Sequence, residues 1–214
     1  MKKKRLVLGS ALVLIVALVA WGTWAYFTTS IAATNQITTG TIQIQLNDTM
    51  TGAQITTDEK GNATATLPTS VMPGQPVDKT VSVTNTGTGQ AWIRVKVDTD
   101  ITDADGNALP KTILDKVGQQ ESTVQIAYTE STPTESATWI DGKDGYYYYT
   151  GPVNQNDTTG NLFSGVMLNK FVNNDYENCK VVLTVSAQAV QVKNNPIPAG
   201  KTVTNITGWP AEAK

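Results

Sequence analysis

The sequence contains no histidine. That removes the commonest general base, the Ser-His and Cys-His nucleophile pairs and the usual zinc ligands together, so the chain is expected not to be an enzyme and is assigned no cofactor or metal. There is a single cysteine, Cys179, which excludes an intramolecular disulfide. In an exported chain such a thiol is either buried or able to cross-link two molecules. Its neighbours Val181, Val182 and Leu183 place it at the entrance to a core strand, where a free thiol packs as a small apolar group. Charge is also scarce, at 16% of 214 residues. Four of the 16 basic residues are Lys2, Lys3, Lys4 and Arg5, and no acidic residue precedes Ala25, so the remainder carries 12 basic against 18 acidic residues, a net −6. A mildly acidic chain with no basic stripe offers nucleic acid no electrostatic footprint, which excludes it as a specific partner.

The chain has one long apolar run, Leu6 to Ala20, directly after the basic start. Its length, positive flank and the small side chains at Thr23 and Ala25 are those of an export signal cut after Ala25, with Tyr26 as the new first residue. An uncleaved anchor is the competing reading, because Trp21, Trp24, Tyr26 and Phe27 extend the run to about the 20 residues that span a bilayer. Under either reading the bulk of the chain lies outside the cytoplasmic membrane, and the membrane is touched only through this precursor segment.

Beyond residue 25 the length suits one domain with a substantial core. Thr41 to Leu46 alternates, with Ile42, Ile44 and Leu46 on one face, the period of a half-buried strand. Asp58-Glu59-Lys60-Gly61-Asn62 and Met72-Pro73-Gly74-Gln75-Pro76 are turns. Val77, Lys79, Val81 and Val83 alternate up to Asn85, and Ala91 to Thr99 returns with Ile93, Val95 and Val97 on one face and Trp92, Arg94 and Lys96 on the other, which predicts a hairpin. Ile113, Leu114 and Val117 at helical spacing, between Pro110 and Gly118, predict one short helix. Val124 to Tyr128, Ala137 to Ile140, Tyr146 to Thr150, Leu162 to Leu168 and Lys180 to Val192 read as further strands. The last carries apolar residues on both faces and should be central. The segment from Val203 to Lys214 reads as a small strand or tail holding Trp209. The fold expected is all-β, a two-sheet sandwich with a short helix, preceded by the signal segment.

Two clusters have the composition of binding sites. Asp98, Asp100, Asp103, Asp105 and Asn107 are oxygen-rich, but an EF-hand loop needs an acidic residue where Ile101 stands and a Glu where Thr112 stands. They read as a solvated loop turning at Asp105-Gly106-Asn107, and Asp141 and Asp144 read the same way. Tyr146 to Tyr149 on a strand would send two rings into the core and leave two exposed.

Gly22-Thr23-Trp24-Ala25-Tyr26-Phe27 followed by Asn35-Gln36-Ile37-Thr38-Thr39-Gly40-Thr41-Ile42-Gln43-Ile44-Gln45-Leu46 resembles the start of the TasA/camelysin group, whose signals are removed by the dedicated signal peptidase SipW. Within it, the chain is most similar to the BsaA-type biofilm matrix proteins. Met72 to Lys79, Val83-Thr84-Asn85-Thr86-Gly87 leading to Trp92-Ile93-Arg94-Val95, and Trp139 with Asp144 to Tyr149 extend the resemblance. It implies the jelly-roll form of the sandwich and a secreted extracellular-matrix subunit. Camelysin-type relatives have been classed as metalloproteases, but the chain has no His-Glu-x-x-His helix, and that activity is not carried over. The division expected is residues 1–25 as signal peptide, 26–36 as an N-terminal donor strand and 37–214 as the sandwich. The donor strand would add to the sheet of the next molecule through Tyr26, Phe27 and Ile31, giving a head-to-tail homopolymer. The rival expectation is a monomeric cell-surface binding module that recognises glycan or protein through its aromatic and acidic loops.

Overall fold

A computed structural model describes residues 28–30, 42–67, 71–129 and 137–210. Thirteen strands are described: β1 (Thr28–Ser30), β2 (Ile44–Met50), β3 (Ile55–Thr57), β4 (Ala63–Thr66), β5 (Pro76–Asn85), β6 (Ala91–Thr102), β7 (Thr112–Leu114), β8 (Gln120–Ser122), β9 (Val124–Tyr128), β10 (Trp139–Asp141), β11 (Tyr147–Tyr149), β12 (Phe163–Leu168) and β13 (Lys180–Gln191). They make a large sheet in the order β10-β11-β6-β13-β4-β3, with β1 also on β13, a second sheet β2-β5-β12-β9, and a separate hairpin β7-β8. All strand pairs are antiparallel.

The alternation that predicted the strands also supplies the core. Ile44, Val81, Val83, Ile93, Val95, Phe163 and Val185 form one buried cluster, and Met50, Leu67, Val77, Ile101, Val166, Val181 and Leu183 form a second. Asp48 and Lys79 stand on the inward faces of β2 and β5 between residues of these two clusters: Ile44 and Met50 flank Asp48, and Val77 and Val81 flank Lys79. Their ion pair is enclosed, with side chains 1% and 0% exposed.

β2 runs through Asp48 to Met50. Two expectations are corrected. Pro110 to Val117 is not a helix: Thr112–Leu114 pairs with Gln120–Ser122 across a turn. The Asp115 carboxylate accepts from the backbone N–H of Val117 at 2.9 Å and of Gln119 at 2.7 Å, and Gly118 takes φ +80°. Leu114 and Val117 are 65% and 77% exposed, so the spacing that suggested a helix has no face to bury. Nor do β5 and β6 form a hairpin, since β5 pairs with β2 and β12 whereas β6 pairs with β13 and β11. Buried Asn85 carries the chain from one sheet to the other. Its Nδ2 donates to the carbonyls of Gly89 and Val153, both at 2.8 Å, and its Oδ1 accepts from Gly87 N–H at 3.0 Å.

Central placement of β13 is as expected. It pairs along its whole length with β6 and buries both faces from Ala187 to Val190. The second face is covered by Trp92, Tyr146, Tyr148, Val203 and Ile206, with Trp209 packed against them. Val203 to Asn205 forms a 3-10 turn and no strand.

Phe163→Ala, which empties a fully buried ring site, is expected to lower unfolding free energy by about 3–5 kcal/mol in urea titration. Leu114→Ser on the exposed hairpin should change it by about 0.5 kcal/mol or less.

Candidate functional site: the second edge of β13

One edge of β13 is closed by β6. On the other, β4 covers Val182 to Val185 and β1 covers Gln188 to Val190, in the register Thr28↔Val190, Thr29↔Ala189, Ser30↔Gln188. Without β1, the main-chain groups on this side of Gln188–Val190 would have no strand partner. On the sandwich side this stretch presents Ala187 and Ala189, small residues of the first cluster. Its other face is held stiff by a polar and aromatic assembly.

Arg94 of β6 lies opposite Gln188 in the ladder. Its Nε and Nη2 donate to Gln188 Oε1 at 2.9 and 2.7 Å, and Nη1 donates to the Tyr148 hydroxyl at 3.2 Å. Tyr148 in turn donates to Asp144 Oδ2 at 2.6 Å. Burial first, and the Asp144 carboxylate second, hold the Tyr148 phenol above its ordinary range, so it stays a donor. The guanidinium lies 3.8 Å from the Tyr146 ring centre and 4.7 Å from that of Trp209, and is only 8% exposed. Stacking between rings offsets part of the cost of burying the charge. The chain after β13 is tied to the same face: Trp92 Nε1 donates to the Asn195 carbonyl at 2.9 Å, and Asn195 Nδ2 donates to the Gln191 carbonyl at 2.8 Å. Gly208 passes so near that a β-carbon there would overlap the Asn195 amide.

Ala25, Tyr26, Phe27 and Ile31, the expected cleavage and donor residues, lie outside the described residues. Thr28–Ser30, inside the expected donor segment 26–36, pairs with β13 of its own chain. The acidic cluster does not converge. Asp98 pairs with Lys96 and Asp100 with Lys111, while Asp103 accepts from the backbone N–H groups of Asp105 and Asn107 and from the Asn107 amide. These bonds, that to the Asn107 side chain foremost, hold its carboxyl below the usual range. Asp141 is likewise held low by Lys143. The exposed aromatic pair is corrected: Tyr146 and Tyr148 are buried under the C-terminal segment, and Tyr147 and Tyr149 are half-buried against the first cluster. Tyr147 stacks on Tyr128 at 4.4 Å and Tyr149 packs on Trp139 at 5.2 Å. Cys179 is half-buried beside the second cluster, and burial pushes its thiol up.

Residue reading missed the β13 edge and the enclosing of Arg94, both products of long-range pairing. It did register Lys79 at an inward position of an alternating strand, the one available sign of the buried ion pair.

A family model described as camelysin metallo-endopeptidase matches residues 1–117. No curated protein and no solved structure matches the chain. The donor set does not fit the metal-dependent peptidase of that description. Among the described residues no three His, Cys, Asp or Glu side chains gather as a metal-holding group, and the chain has no histidine to offer.

Gly208→Ala is expected to push Asn195 and Trp209 apart, costing about 1–3 kcal/mol. The check is a red shift and loss of intensity in tryptophan emission, together with faster proteolysis between Asn195 and Trp209.

Proposed function

The chain belongs to the camelysin metallo-endopeptidase family, and we propose that within it this protein is a structural member: a secreted biofilm-matrix subunit of BsaA type that polymerises through the second edge of β13. The observation that carries the reading is the pairing of Thr28–Ser30 with Gln188–Val190. Three residues of the N-terminal segment already use that edge as a strand, so the edge accepts this sequence in this register.

Exchange replaces the same contacts by identical ones from a neighbour. The enthalpy is nearly unchanged, and protomer concentration and linker reach decide between closed and exchanged forms. Eleven residues, 31–41, separate β1 from Ile42; fully extended, such a length spans at most roughly 36–40 Å, enough to reach an adjacent subunit. The exchanged contact joins one molecule's N-terminal segment to another's β13. It is heterologous, and it grows filaments unless the rotation closes a ring. Cleavage after Ala25 is the switch, because the precursor's apolar run holds the segment at the membrane until it is cut. Among the described residues no helix is long and apolar enough to cross a membrane. Alternate side chains of the segment, Tyr26 or Phe27 and then Ile31, supply the apolar part of the contact.

Protein beginning at Tyr26 is expected to form fibres that resist detergent, seen by negative-stain microscopy and by void-volume elution. Protein beginning at Ile37 should remain monomeric, and a synthetic peptide of residues 26–36 should bind it and halt elongation of preformed fibres. Unchanged fibre yield from the truncated protein defeats strand exchange. A processed protein that stays monomeric and binds a glycan or protein saturably identifies a surface-binding module instead.

A further inference from the structure

The pair inside the sandwich calls for a different chemistry. Lys79 is opposite Met50, and Asp48 is opposite Val81, so the lysine side chain runs diagonally along the sheet to reach Asp48. Its Nζ meets Asp48 Oδ1, both side chains are enclosed, and Asp48 Oδ2 has no hydrogen-bond partner among the described residues. A buried ion pair is weakly favourable at best, and an unsatisfied carboxylate oxygen adds a further cost. The pair is also a nucleophile and an acyl carbon held together, away from water, on two adjacent strands.

We propose that Lys79 and Asp48 condense spontaneously after folding into an intramolecular isopeptide bond that ties β2 to β5. A proton passes from the Lys79 ammonium to the carboxylate, leaving a free amine and a carboxylic acid whose Oδ2 carries the hydrogen. The amine lone pair attacks Cγ of Asp48, forming the C–N bond. A second proton then moves from nitrogen to the Oδ2 hydroxyl, the Cγ–Oδ2 bond breaks, and water leaves. Oδ1 remains as the amide carbonyl. Nothing is oxidised or reduced, and no co-reactant is consumed.

The surroundings favour the neutral partners that this step needs. Burial, the largest influence on each, raises the Asp48 carboxyl and lowers the Lys79 ammonium from their ordinary ranges, with their mutual attraction opposing both shifts. The product discharges two enclosed charges and removes the orphan oxygen. It also closes a covalent loop from Asp48 to Lys79 that contains β3 and β4. The bond depends on the folded sandwich and not on polymerisation, so it stands or falls apart from the fibre reading.

The test is intact mass of the secreted protein, with peptide mapping. The expected result is a mass lower by one water, no tryptic cut after Lys79, and a branched peptide joining the segments that contain residues 48 and 79. Lys79→Met should restore the full unmodified mass. Asp48→Asn should still condense, now losing ammonia, and reach the same final mass as the parent; this rescue separates bond formation from a failure to fold. Unmodified mass in parent protein whose circular dichroism shows a folded β structure, after days of storage, overturns the proposal. So does a water loss that persists in Lys79→Met or maps to a succinimide at Asp105-Gly106, Asp141-Gly142 or Asp144-Gly145.

Discussion

A twelve-residue strand in the middle of a sheet must satisfy its main-chain N–H and C=O groups along two edges, and in this molecule that requirement falls on β13. β6 meets it on one side from end to end. The other side is assembled from two pieces remote in sequence, β4 and β1, neither long enough to cover it alone. Everything else in the large sheet is arranged around that divided edge. β3 closes the exposed side of β4, and β10 and β11 extend the sheet beyond β6. The C-terminal segment covers the outer face where the sandwich core cannot.

The divided edge explains why residues 26–36 matter so much to a functional reading. An edge closed by a hairpin partner is closed for good, because the turn keeps donor and acceptor together. β1 is joined to the body only through residues 31–41 and β2, in the other sheet, so no tight turn enforces its place on β13. The small side chains of Ala187 and Ala189 lie on the inner face at this edge, in the first buried cluster. The opposite face is rigid. Arg94 and Gln188 fix the outer side chains of neighbouring strands, and Tyr146 and Trp209 clamp the guanidinium. An edge held this way is preorganised, so a strand that pairs with it leaves little ordering entropy to lose.

How much of this could be read from the residues follows from the range of each interaction. The period of two in Val77 to Val83, Ile93 to Val97 and Val181 to Val185 reports burial on one face, and those strands stand where that pattern put them. Apolar residues on both faces of Lys180 to Val192 likewise mark the centre of a sheet. Local spacing misled where a side chain competed with the backbone: Asp115 caps its own turn and converts an apparent helix into a hairpin. Asn85-Thr86-Gly87-Thr88-Gly89 has the composition of a hairpin loop but bridges two sheets, because what decides between them is the buried bond from Asn85 to Val153, 68 positions away. Trp209 was visible as an isolated aromatic near the end. That it would cover Arg94 depends on how β13 and β6 pair, which no short window contains.

Two buried cations, Arg94 on the outer side of the large sheet and Lys79 inside the sandwich, show how differently the fold treats them. Arg94 spends three donor nitrogens on Gln188 and Tyr148 and lies between aromatic rings, so its charge is dispersed over a planar group and satisfied in several directions. Lys79 is a point charge with one described partner, and that partner has an oxygen left over. A side chain whose only task was to fill the space between Val77 and Val81 would be aliphatic, and two apolar residues at 48 and 79 would join the two core clusters without charge desolvation. A charged pair set into that junction therefore has to be accounted for by what charge makes possible and packing does not. β2 is the first strand of the sandwich proper after the N-terminal segment, so any pull on that segment enters the domain through β2 and is resisted by the hydrogen bonds to β5. Those bonds can open one after another from Ile44. The covalent tie proposed at Asp48 would stop the opening at the fourth residue pair beyond Ile44, before Met50 leaves the second cluster, and would reinforce the strand that such a pull loads first.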